Sequence, residues 1–96
     1  MDLTESDIEA VADLTAEHLL REVYDNGRVL EPVAITKWIR EQFEFSLGYS
    51  LLVVKNLCNR YENELTEMGY RVIKYNNKPE LLTAREAERL KSFQRS

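Results

Sequence analysis

The chain has 96 residues, 44% apolar and 31% charged, with 3 Gly and 2 Pro. That balance fits one small, mostly helical globular domain and excludes fibrous, disordered and low-complexity proteins. No apolar run approaches the roughly 20 residues of a membrane span, residues 1–22 are too acidic for a signal or transit peptide, and the lone cysteine, Cys58, cannot form an internal disulfide, so cytoplasm or nucleus is the expected compartment.

The formal net charge of −4 is unevenly spread. Residues 1–22 carry seven acids against Arg21 alone, whereas residues 71–96 carry seven bases against three acids. One end repels phosphate and the other attracts it, a polarity that can orient a protein on nucleic acid or on an acidic partner.

In chain order, Thr4 with Asp7 three residues on forms an N-terminal capping signal, and Leu3 and Ile8 are placed to staple the start of a helix. Ile8, Val11, Ala12, Leu19 and Val23 recur at helical spacing, and Asn26-Gly27 can adopt a left-handed turn, so a first helix is predicted over 5–25. Arg28-Val29-Leu30 reads as a short extended segment before Pro32, which favours a helix start. A second helix over 32–45 carries the apolar stripe Ile35, Trp38, Ile39 and Phe43.

The strongest periodicity follows. Leu47, Leu51, Val54, Cys58, Tyr61, Leu65 and Met68 alternate spacings of four and three, which predicts a long third helix over 50–68 ended by Gly69. About three heptads is too short for a coiled-coil seam, so the stripe reads as core packing. Leu52, Val53 and Leu57 widen the apolar face, and the start of this helix is expected to be its deeper end. Tyr70 to Tyr75 is rich in β-branched and aromatic residues, Asn76-Asn77 suits a tight turn, and a return strand over 78–82 places Pro79 on an edge. Thr83 with Glu86 caps a last helix over 84–95 whose narrow apolar face is Ala87, Leu90 and Phe93. The fold class is therefore mostly α with a small β-hairpin, one domain over 1–96, made of a unit over 5–82 and a C-terminal helix over 83–96.

Catalytic chemistry has few candidates. His18 lies among acids with no nearby nucleophile to activate, and Cys58 on the apolar stripe reads as a small buried hydrophobe. No cluster has metal-ligand spacing, no glycine-rich phosphate loop occurs, and no cofactor is implied.

The order helix, extended segment, helix, turn, long helix, hairpin resembles the winged helix-turn-helix superfamily. The resemblance is carried by Arg28-Val29-Leu30, residues 32–45, 46–68 and 70–82, with the junction Leu65-Thr66-Glu67-Met68-Gly69-Tyr70-Arg71-Val72 similar to its helix-to-wing turn. It implies a sequence-specific double-stranded DNA-binding regulator, of transcription or of a mobile element, with the helix 50–68 reading bases and the hairpin serving as wing. Asn56, Asn59, Arg60 and Asn63 form one polar face of residue types that pair with adenine and guanine edges, and Ser50 stands at the helix start. Arg71, Lys74, Asn76, Asn77 and Lys78 suit phosphate.

A second expectation, from another class, is a non-enzymatic protein-interaction module on the same scaffold, an adaptor, assembly subunit or inhibitor. It is motivated by the acidic first helix, the aromatics Trp38, Phe43, Phe45 and Tyr49, and the apolar start of the third helix. Exposure of Phe45, Tyr49 and Leu52 discriminates, since burial of all three would leave no apolar patch. A homodimer is expected in either case, held by Leu90 and Phe93 of the last helix and by Leu14 and Leu20 of the first.

Overall fold

The computed structural model describes residues 3–75 and 78–94. Its elements run α1 (Glu5–Asn26), α2 (Pro32–Phe43), α3 (Leu47–Arg60), α4 (Glu62–Glu67), β1 (Tyr70–Tyr75), β2 (Lys78–Thr83) and α5 (Ala84–Gln94). The fold is mostly α with one antiparallel hairpin, as its composition and periodicity predict. β1 and β2 pair in register from Tyr70 opposite Thr83 to Tyr75 opposite Lys78. Pro79 sits opposite Lys74 in this two-stranded sheet, where both strands are edges.

The caps form as read. The Thr4 hydroxyl accepts from Asp7 N–H at 3.2 Å while the Asp7 carboxylate accepts from Thr4 N–H at 2.9 Å. Those bonds hold the Asp7 carboxyl below its ordinary range, the backbone donor contributing most. Gly27 ends α1 at φ 64°. The reciprocal pair Thr83 and Glu86 opens α5 at 3.1 Å each way.

Three boundaries differ from the sequence reading by more than one residue. α2 stops at Phe43, two residues early, because Glu44 turns left-handed at φ 54°, a conformation few non-glycine residues adopt. α3 starts at Leu47, three residues early, because the Ser46 hydroxyl accepts from Tyr49 N–H at 3.2 Å and so caps a turn that was expected to be irregular. The long helix is also broken at Tyr61 (φ −123°, ψ 29°), leaving the short α4 as a separate turn and a half.

α1, α2 and β2 all pack on α3, and α5 packs on the hairpin. The core joins Ile8, Val11, Ala12 and Leu19 of α1 to Ile35 and Ile39 of α2 and to Val53, Leu57 and Cys58 of α3. Leu65, Met68, Tyr70 and Leu81 close it. The Tyr70 hydroxyl, inside the core, donates to the Leu30 carbonyl at 2.6 Å and so fastens the segment between α1 and α2 to the hairpin. The expected stripe is buried at Cys58, Leu65 and Met68 but rotated outward at its start. Val53 and Leu57 are buried, while Leu47 and Leu51 stay half-exposed. The start of α3 is apolar nearly all round, so periodicity alone could not choose which face meets α1, and this end is the shallower one.

Candidate functional site

The polar face expected to read bases is largely occupied. Arg60 Nη1 lies 3.0 Å from Asp13 Oδ1 and donates to the Glu9 carbonyl at 3.2 Å, both on α1. It also donates to Asn56 Oδ1 at 3.5 Å, and Asn56 is half-buried. The Tyr61 hydroxyl donates to the same Asp13 carboxylate, a bond that pushes the phenol pKa upward. This side of α3 thus clamps the acidic first helix. Asn59 and Asn63 are exposed, but the break at Tyr61 puts Asn63 on α4.

Ser50, expected at the DNA surface, is fully buried with no hydrogen-bond partner for its hydroxyl among the described residues. The rotation of α3 that exposes Leu51 turns Ser50 inward. In the hairpin, Arg71 donates to the neighbouring Tyr70 carbonyl at 2.7 Å and Lys74 lies 3.6 Å from Glu62. Lys78 is exposed and makes no ion pair among the described residues. Asn76 and Asn77 lie outside the described residues, as does the side chain of Phe93. Leu14, Leu20 and Leu90, expected at a dimer interface, are each about half-exposed.

On the other side of α3 a groove of about 1260 Å³ opens between α2, the start of α3 and β2. Its apolar surface includes Val33, 80% exposed, Leu47 and Leu51, each 52% exposed, and Leu52, 48% exposed. Leu52 therefore meets the criterion for an apolar patch, while Phe45 and Tyr49 are half-buried. The aromatics form a packed row. His18 stacks on Trp38 at 4.1 Å, and Trp38, Phe43, Phe45 and Tyr49 follow at 5.7, 5.8 and 6.2 Å between successive rings. Of that row only Phe45 lines the groove.

The rim is mixed in charge. Lys37 and Glu41 lie 3.9 Å apart, and Arg40, Lys55 and Lys78 stand with Glu44 and Glu80 around the remainder. A smaller hollow of about 380 Å³ on the α1 side of α3 shares Leu52 and Lys55 with the groove, so these two residues form the ridge between them. The sequence reading named the apolar start of the third helix as a docking surface but not Val33 or β2 beside it. The signal for that start was the surplus of apolar residues from Leu47 to Leu57, more than one helix face can bury.

The remaining reactive groups lie apart. The Cys58 thiol is buried, its pKa pushed up to about 11 by burial and then by Glu62, so it is protonated at neutral pH. Among the described residues no group of three or more His, Cys, Asp or Glu is placed to hold a metal, and no helix is long and apolar enough to cross a membrane. Comparison with family models, curated proteins and solved structures yields no match.

Proposed function

We propose that this chain is a non-enzymatic protein-interaction module on a winged-helix-like scaffold, and that its docking surface is the groove between α2, the start of α3 and β2. The observation that carries this reading is the half-exposure of Leu47, Leu51 and Leu52 on one face, beside Val33. The largest apolar patch on a monomer, rimmed by polar residues, is often its interaction surface. Burying the exposed half of each leucine contributes roughly 1 kcal/mol, enough for three to anchor a partner but not for one. An amphipathic helix with anchors at i, i+3, i+4 and i+7 matches such a surface. The free thiol of Cys58 fits a reducing compartment, cytoplasm or nucleus.

Of the residues expected to hold DNA only Lys78 lines this groove, beside Arg40 and Lys55. DNA interfaces are more polar and more positive than this one, and Glu41, Glu44 and Glu80 stand on the same rim. The apolar floor favours protein over DNA. Selection of helical peptides from a random library, with binding mapped by methyl NMR, tests the choice alongside duplex DNA at low salt, where electrostatic attraction is largest. Peptides that shift the Leu47, Leu51 and Leu52 methyls, with no response to duplex, are expected. Duplex binding that shifts the surroundings of Lys55 and Lys78, with no peptide selected, overturns the reading.

A further inference from the structure

We propose that the groove is filled by the outer face of α1 from a second copy of this chain; the proposal rests on the docking reading above and names the partner. The inner face of α1 is used up, since Ile8, Val11, Ala12, Thr15 and Leu19 are buried. Its outer face is not. Leu14, Leu20 and Tyr24 are 50%, 45% and 66% exposed. At 100° per residue, Leu14, Glu17, Leu20 and Tyr24 fall within an arc of about 120°, the width of an amphipathic docking stripe.

Charge supports the match. On the docking arc Glu17 is paired with Arg21 and Asp13 with Arg60, but Asp7, Glu9 and Asp25, which border the arc, make no ion pair among the described residues. On the groove rim Lys37 is paired with Glu41, whereas Arg40, Lys55 and Lys78 make no ion pair among the described residues. Only Glu44 and Glu80 remain as acids there, so the groove carries an excess of one positive charge on a chain of net charge −4. An acidic helix with two leucines and a tyrosine on one side complements a leucine floor with a basic edge. Asp13 on the same arc is held by Arg60 and Tyr61, but Leu14, Leu20 and Tyr24 stay exposed and so reach the groove of another molecule. The contact is heterologous, one surface meeting a different one, and each chain carries both.

That asymmetry gives a test which symmetric pairing through α1 or α5 cannot imitate. Sedimentation of the wild type, of Leu51→Asp in the groove, of Leu20→Asp on α1, and of the two variants mixed reads the assembly directly. The wild type is expected to self-associate with rising concentration, less strongly at about 500 mM than at about 50 mM salt, where opposite charges are less screened. Each variant alone should associate about tenfold or more weakly. The mixture should regain association, because an intact α1 and an intact groove meet once per pair. Circular dichroism checks that both variants fold. A second measurement needs no groove substitution: a spin label at Glu17→Cys on one copy should broaden the Leu51 and Leu52 methyls of an isotopically labelled second copy.

A wild type that stays monomeric at hundreds of micromolar overturns the proposal. So does association that survives Leu51→Asp, or a mixture no stronger than its components. If selected peptides still shift the groove methyls in those cases, the docking surface stands and its occupant is a different protein. If the peptides fail as well, the docking reading falls with it.

Discussion

The two ends of the helical run from α3 to α4 rank in opposite order by sequence and by burial, the N-terminal end being the more apolar and the less covered. Toward the C-terminus, Leu57, Cys58 and Leu65 are fully buried, and Arg60 and Tyr61 bind Asp13 on α1. Toward the N-terminus, Leu47, Leu51 and Leu52 keep about half their surface in water beside a groove. Apolar content therefore does not identify a core by itself. What decides is how many faces the neighbouring elements can cover, and around the start of α3 one face is left over.

The contrast breaks most visibly at its buried end. Leu57→Ala leaves a cavity between α1 and α3 and is expected to cost about 2–5 kcal/mol, a large part of the roughly 5–15 kcal/mol that stabilises a domain of this kind. Urea denaturation measures it, and a loss under about 1 kcal/mol would mean the site collapses freely or is not core.

The next largest effect belongs to Tyr70. Tyr70→Phe removes the bond to the Leu30 carbonyl and is expected to cost about 1–2 kcal/mol. It should also change the alkaline limit. Burial pushes the Tyr70 phenol from its ordinary value of 10.0 up to about 12, so between these values the unfolded chain releases a proton that the native state retains. Stability tied to this group is complete below about pH 10 and is lost as pH rises toward 12. Cys58 behaves alike between 9.0 and about 11. Tyr70→Phe should therefore flatten the fall in stability above pH 10, and an unchanged slope contradicts the assignment.

Smaller effects follow at the helix ends and at the surface. Thr4→Ala and Thr83→Ala each remove a reciprocal cap and are expected to cost about 1 kcal/mol in thermal or denaturant unfolding. Arg60→Ala, which breaks an ion pair that is partly in water, should cost no more than about 1 kcal/mol. A much larger loss at Arg60 would mean that the clamp to α1 is a principal support of the fold.

The sequence made most of the framework legible because its signals were local. Thr4 with Asp7, Thr83 with Glu86, Gly27, Gly69 and the β-branched run before Asn76 each specify a boundary within a few residues of chain. The misses were of two kinds. Glu44 in a left-handed conformation carries no local signal, and at the break Tyr61 bonds Asp13 on α1, a tertiary contact that no propensity encodes. The facing of α3 was misread because Leu47, Leu51 and Val54 compete with Val53 and Leu57 as equally good stripes, and only the positions of α1 and α2 settle which turns inward. Ser50 was misplaced with it. The candidate site was less legible than the fold, since Arg60 has the chemistry of a base reader but spends it on α1 and on Asn56 beside it.

The difference between the two ends of this helical run is tested most directly by one substitution measured in two ways. Leu51→Asp, in the exposed half, should leave unfolding free energy within about 0.5 kcal/mol of the wild type while groove binding of selected helical peptides is lost. A destabilisation of the size expected for Leu57→Ala, or peptide binding that persists unchanged, would contradict the assignment of this face to docking.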